Sequence, residues 1–307
     1  MMKPASTKKM IRNLFWILGF LIFLLGIGHL YYHLTGDFRI AHVMSKTFYP
    51  LQVELPKLTA KERRQVGKIL DQHFYFLGHG HQSFVFASDD GNYVLKLFRK
   101  DFIKRTWLKN VIPPITPFRS LFLHQGKGEE YRIRRVINGH AIAYALDRDN
   151  CGMIYFHFNQ ENRFGKAVTL VDKLGIKRTI IPESYVFAIQ KRAVTTRQEL
   201  TRLMAEGNVE ETKRRIQQLF DFYLSAYRRG ILDNDHKLID NTGFVGDRVI
   251  RQDVGRLVLD PETQNLENIK TDLRKIVRKR LQPWFKSYYP QYYSEISEEM
   301  EQFLSEL

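Results

Sequence analysis

Gly230-Ile231-Leu232-Asp233-Asn234-Asp235-His236-Lys237-Leu238-Ile239-Asp240-Asn241-Thr242-Gly243-Phe244 continues through Val245-Gly246-Asp247-Arg248 into Val249-Ile250-Arg251-Gln252-Asp253-Val254-Gly255-Arg256-Leu257. Three acidic or amide positions stand out: Asp235, the Asp240–Asn241 pair, and Asp253. Lys237 follows Asp235 by two residues. Two short apolar runs flank the Val-Gly-Asp-Arg turn, which predicts a small hairpin with acids at both ends. Phosphoryl transfer uses such a layout. One carboxylate orients the attacking hydroxyl, and an amide and a second carboxylate hold magnesium against the phosphates. The plain alternative is a surface loop, because turns are commonly rich in Asp and Asn.

Working outward, the second signal lies upstream. Phe74 to Leu77 reads as a strand that enters Gly78-His79-Gly80-His81-Gln82-Ser83 and leaves as Phe84-Val85-Phe86-Ala87. Asp89-Asp90-Gly91-Asn92 is a hairpin turn, and Tyr93 to Phe98 is the return strand. Gly78 and Gly80 let backbone N–H groups approach phosphate oxygens with no Cβ in the way. Lys96 sits among apolar neighbours and costs free energy there unless it meets an anion. A plain hairpin, or a lysine snorkelling at a sheet edge, is the simpler reading.

Together these motifs resemble the protein-kinase-like superfamily. Its catalytic loop is Asp-x-Lys-x-x-Asn and its metal motif is Asp-Phe-Gly. Asp235-His236-Lys237 and Asp253-Val254-Gly255 match, with Val in place of Phe. The His-Arg before the catalytic Asp is here Asp233-Asn234. Strict spacing puts the family's Asn on Asp240; one inserted residue puts it on Asn241, the preferred choice. Gly78, Gly80, Ser83 and Val85 resemble the glycine-rich loop, with Ser83 replacing its third glycine. Val94-Leu95-Lys96 resembles the Val-Ala-Ile-Lys strand. The resemblance implies a catalytic set of Asp235, Lys237, Lys96 and Glu130. It implies nucleotide contacts from Gly78, Gly80, Ser83, Val85, Val94 and Lys96. Magnesium would be held by Asn241 and Asp253, with Asp240 as the alternative to Asn241. Glu130 takes the role of the helix glutamate that pairs with the strand lysine; its plain reading is an acidic residue favouring a helix N-terminus.

The remaining chain adds context. Its 307 residues suffice for one large or two small domains, and the formal charge of +15 favours anionic partners or serves solubility. A single cysteine, Cys151, excludes an intrachain disulfide. Leu14 to Tyr32 is apolar apart from His29, and its 19 residues span roughly 28 Å as a helix, close to a bilayer core. Trp16, Tyr31 and Tyr32 suit the two interfaces. A cleaved signal peptide is the rival, but the run is long and lacks a small-residue cleavage site. Residues 33–65 read as a tether containing a stretch with Pro50 and Pro56, and Ala60 to Leu70 as a helix capped by Thr59. Residues 102–125 are basic and irregular. Glu129 to Leu146 reads as a helix with Ile133, Val136, Ile137, Ala141, Tyr144 and Ala145 on one face. Four strands follow, over 153–158, 167–171, 179–181 and 185–189. Gln190 to Ala193 is then the expected hinge for an adenine edge. A capping box at Thr196-x-x-Glu199 and a long helix from Glu210 to Arg229 lead into the Asp235 loop.

The expected fold is α+β: a kinase-like two-lobed domain behind one N-terminal transmembrane helix. Residues 1–13 form the basic tail, 14–32 the span, 66–193 a mostly antiparallel N-lobe and 194–307 a compact helical C-lobe. Only 52 residues follow Gly255, with no Ala-Pro-Glu motif, so the chain looks closer to compact small-molecule or lipid-core kinases. The expected function is a membrane-anchored transfer of the ATP γ-phosphate, with Mg²⁺, to a lipid-linked sugar or a protein. A pseudokinase scaffold is the second reading. A basic domain binding anionic lipid, through Arg274, Lys275, Arg278, Lys279 and Arg280, is the third. No signature supports nucleic acid. Lys3, Lys8, Lys9 and Arg12 against Arg39 and Lys46 place the N-terminus in the cytoplasm. A need for ATP argues for the domain lying there instead, so its side stays open.

Overall fold

A computed structural model describes residues 5–45, 49–100, 129–158 and 164–307; the basic stretch 102–125 lies outside them. The chain is a mixed α+β structure. Helix α1 runs Ala5–Leu34, and within it Lys9–Leu34 is long and apolar enough to cross a membrane, with none of its apolar window buried in the protein. Helix α2 (Ala60–Leu70) opens on the expected Thr59, whose hydroxyl accepts from Glu62 N while the Glu62 carboxylate accepts from Thr59 N.

Strands β1 (Phe74–His79), β2 (Ser83–Ser88), β3 (Tyr93–Phe98), β4 (Met153–His157), β5 (Val168–Val171), β6 (Lys177–Ile180) and β7 (Phe187–Lys191) form one sheet, ordered β4-β7-β3-β2-β1-β5-β6. All pairs are antiparallel except β1 with β5. Side chains alternate between faces. Phe84, Phe86, Leu95 and Leu97 therefore share one buried face, while Val85 and Lys96 stand opposite each other on the other. Helix α3 (Glu129–Leu146) has the predicted bounds and buries Ile133, Val136, Ile137, Ala141 and Tyr144.

The stretch 33–65 is not a free tether. Phe38 is 2% exposed and packs edge-on to Phe84 and Phe86 at 5.2 and 4.9 Å between ring centroids. Met44 N donates to Phe98 O at 2.7 Å, and Val186 N donates to Met44 O at 3.0 Å, so the chain adds short bridges to the sheet. Burying large apolar rings outweighs the chain entropy that a loose linker would keep.

Helix α4 (Thr196–Ala205) starts one residue earlier than expected: Thr195, with Gln198, makes the capping box, and Thr196 is buried against Thr242 instead. Helix α5 (Val209–Arg228) ends at Gly230, whose φ of +70° suits glycine after a helix. Strand β8 (Val194–Thr195) joins the hairpin of β10 (Thr242–Val245) and β11 (Arg248–Arg251). Strand β9 (Ile231–Asp233) pairs with β12 (Leu257–Leu259), and the short helix α6 (Leu238–Asn241) lies between β9 and β10. Helices α7 (Leu266–Ile276), α8 (Gln282–Tyr288) and α9 (Tyr293–Glu306) complete the chain; α7 runs on through a π turn at Val277–Leu281. Buried apolar residues form two clusters, one under the sheet and one among these helices.

Candidate functional site

The loop between β9 and α6 is held by its own acids. Asp233 is 1% exposed and its Oδ1 accepts from Asp235 N at 3.0 Å. Burial pushes the Asp233 carboxyl up, against the pull of the nearby Arg251 guanidinium. Asp235 is oriented by Arg256, whose Nη1 donates to Oδ1 at 2.7 Å, with Lys237 Nζ 3.6 Å from Oδ2. His236 takes a left-handed φ of +52° and brings its Nε2 within 2.5 Å of Asp272 Oδ1. That carboxylate raises the His236 pKa against the effect of burial.

Asn241, and not Asp240, faces this loop. Asn241 is buried, and its Nδ2 lies 3.4 Å from both Asp233 Oδ2 and Asp235 Oδ2. Its carbonyl accepts from Gln252 N at 2.6 Å and Asp253 N at 3.2 Å. Asp240 points outward and pairs with Arg197 at 2.7 Å. Consecutive residues of a helix point about 100° apart, which spacing alone does not reveal.

Lys96 reaches this segment from the sheet. Its Nζ donates to Gln252 O at 2.5 Å, across 156 residues of sequence. Burial lowers its pKa, and the neighbouring Asp253 carboxylate opposes that shift. Glu130 is a correction: it pairs with Arg134 at 2.6 Å on the exposed start of α3 and makes no ion pair with Lys96. The helix turns Glu130 outward. Gly139 and His140 are the α3 residues that meet the site. A Cβ at Gly139 would lie 2.2 Å from Val254 O, so the helix backbone packs directly on Asp253-Val254-Gly255. His140 Nδ1 donates to Val136 O at 2.8 Å, and the ring sits edge-on to Phe98 at 4.6 Å. Burial, and then the charge of Lys96, push its pKa down to about 4. Because a carbonyl only accepts, Nδ1 carries the proton and Nε2 is left as an acceptor.

The glycine turn closes over the same place. Gly80 N donates to Ser83 O at 3.0 Å, and Gly78 pairs with Val85 beside a bulge. A Cβ at Gly78 or Gly80 would meet nothing within 4 Å, whereas one at Gly255 would lie 1.9 Å from Gln82 Oε1. Val94 is buried beneath the turn's second strand, next to Lys96. His79 is held by Asp37 at 3.5 Å and Arg99 at 2.7 Å. The expected hinge is already engaged: Lys191 N donates to Gly152 O at 2.7 Å and Arg192 N to Asn92 O at 2.8 Å. Those two N–H groups are therefore not free for an adenine edge.

Arg251 was not anticipated. It is fully buried between Asp147 and Asp233, at 3.6 and 3.9 Å, and over the rings of Phe222 and Tyr223. In sequence it reads as one more basic residue of a hairpin. A cavity of about 510 Å³ lies elsewhere, between residues 49–57 and Tyr144 with Tyr155–Phe158, and gathers none of the groups above. Among the described residues no group of three or more His, Cys, Asp or Glu is placed to hold a metal.

No family model matches the sequence, and no curated protein matches it. Among solved structures it is similar to Rv3197 of Mycobacterium tuberculosis, determined in complex with erythromycin. The identity is 16%, over 76% of this chain and 61% of that chain, with a TM-score of 0.33. The chain thus spans about three fifths of that protein's length. A likeness this loose defines neither fold family nor activity. What stands is the class: a mixed α+β chain with a seven-stranded sheet and one apolar N-terminal helix.

Proposed function

We propose that this chain is a membrane-anchored, kinase-like phosphotransferase that moves the γ-phosphate of ATP to a hydroxyl of a membrane-proximal acceptor, a lipid-linked sugar or a protein. The observation that carries this reading is the convergence of Lys96 with the Gln252–Asp253 segment, itself tied to Asn241 and so to Asp235. Four motif positions from segments about 140 to 157 residues apart in sequence come together, an arrangement that suits phosphoryl transfer.

The residues fit a magnesium ion. Asp253 uses Oδ1 for Gly255 N at 3.0 Å, and Asn241 spends its Nδ2 on the two aspartates. Asp253 Oδ2 and Asn241 Oδ1 have no donor among the described residues, and two such oxygens suit an ion that keeps water and phosphate as its other ligands. Magnesium, when bound, neutralises charge on the transferring phosphoryl group. Lys96 exchanges the Gln252 carbonyl for phosphate oxygens, which restores the charge partner its burial demands. A Cβ at Gly78 or Gly80 would meet nothing, so the turn leaves room for phosphate oxygens to approach its backbone. Asp235, oriented by Arg256 and Lys237, takes the proton of the attacking hydroxyl.

A pseudokinase scaffold remains the second reading, favoured by Gln82 lying against Gly255 and by the engaged hinge amides. Transfer of labelled γ-phosphate into membrane extract separates the two. Asp235→Asn should cut transfer by about 10²-fold or more while ATP binding persists. Equal transfer in both proteins would remove Asp235 from the chemistry, and no transfer at all with retained binding would support the scaffold.

A further inference from the structure

The β5–β6 hairpin is wired to the end of the apolar helix. Arg178 Nη2 donates to Tyr31 Oη at 2.9 Å, in the last turns of α1. The same guanidinium bonds Asp172 through Nη1, and Asp172 Oδ1 accepts from Leu174 N and Ile176 N, both at 2.9 Å. Four linked contacts therefore tie the hairpin tip to Tyr31. Phe38, the buried residue just past α1, lies beneath the Arg178 guanidinium at 5.9 Å.

The tip has an unusual surface. Leu174 and Ile176 are 48% and 40% exposed, and Lys173 and Lys177 flank them, also exposed. Gly175 makes the turn with a φ of +81°. β6 is the sheet's last strand, and among the described residues no further strand pairs with its outer edge.

We propose that Lys173-Leu174-Gly175-Ile176-Lys177 is a second membrane contact, seated in the headgroup layer of the leaflet from which α1 emerges. It rests on the reading of α1 as a membrane span. In that reading Tyr31 marks the interface, where tyrosines concentrate. The layer beyond the hydrocarbon core is roughly 5–7 Å deep on each side, and a chain of hydrogen bonds through Arg178 and Asp172 ties Tyr31 to Leu174. Leu174 and Ile176 enter the acyl boundary, while the lysine ammonium groups reach lipid phosphates. The sheet is thereby held at two points, α1 and the hairpin, and cannot swivel on its anchor.

The test uses the full chain in phosphatidylcholine–phosphatidylglycerol vesicles, with an environment-sensitive dye on a single introduced cysteine. Cys151 is buried and stays unlabelled. Labels go on Leu174→Cys, on Leu21→Cys within α1, and on Glu206→Cys of the helical half. The expected result is a blue-shifted Leu174 label quenched by nitroxide lipids spin-labelled near the headgroup, a Leu21 label quenched by deep nitroxides, and a Glu206 label quenched by neither. A quenched Leu21 label with a Leu174 label that behaves like Glu206 would overturn the second contact alone. An unquenched Leu21 label would overturn the span and the contact with it. Shielding of Leu174 in native membranes but not in pure-lipid vesicles would overturn the lipid assignment in favour of a protein partner.

Discussion

The two faces of the large sheet are drawn from alternate residues of the same strands, yet they are built on different terms. On one face Phe84, Phe86, Leu95 and Leu97 are wholly buried and receive Phe38 from the segment after α1. On the other face Val85 and Lys96 look toward His140, Gln82 and the Gln252–Asp253 segment. There the lysine donates to a carbonyl beside the Asp253 carboxylate, the histidine's pKa is pushed down to about 4, and the Gln82 side chain lies against Gly255. An apolar face maximises stability. A face that keeps incompletely satisfied polar groups at a cost in free energy is where a ligand has something to gain.

Truncating the apolar face should cost most. Phe38→Ala is expected to destabilise the protein by about 3–5 kcal/mol in chemical denaturation, because the cavity lies among rings that cannot collapse. A loss within the scatter of surface substitutions would mean that residues 35–45 are a loose linker after all.

The polar face should show itself through pH. His140 titrates at about 4 in the fold against 6.5 when unfolded. The unfolded chain therefore takes up this proton first, and stability falls as the pH drops from 6.5 toward 4, by about 3 kcal/mol in full. His140→Phe keeps the ring beside Phe98 and removes the titration. Its stability relative to wild type should improve steadily over that window; parallel curves would place His140 in contact with solvent.

Gly139 sharpens the contrast within one helix. Glycine to alanine in a helix interior ordinarily stabilises by roughly 1 kcal/mol. Gly139→Ala should instead destabilise by about 1–3 kcal/mol, since its Cβ would strike the Val254 carbonyl. A stabilised variant would show that α3 can move off the Asp253 segment freely.

Much of the frame was legible in sequence. The bounds of α3 and the 242–251 hairpin followed from periodicity and turn chemistry. The lone Lys96 in an apolar strand marked the polar face, and its meeting with Gln252, beside Asp253, lies where spacing alone could not reach. Glu130 was read from its place at the helix start, but helix phase decides direction, and Glu130 points to solvent. Gly139 carried a usable signal, a glycine inside a helical stripe, which marks close backbone approach. His140 and Arg251 carried none, because a buried polar residue and a surface one look alike in a chain of this charge. Phe38 was hidden by Gly36 and Asp37, which make the segment look like a linker.

The most direct test of the central claim is a thermal shift of the full chain in detergent with ATP and magnesium, repeated on Lys96→Met and Asp253→Asn. At about 100 times the dissociation constant, ligand should stabilise the wild type by roughly 2.7 kcal/mol. Both variants should stay folded and lose that shift. A folded wild type that shows no shift at millimolar ATP, or variants that keep it in full, would contradict a nucleotide site on this face of the sheet.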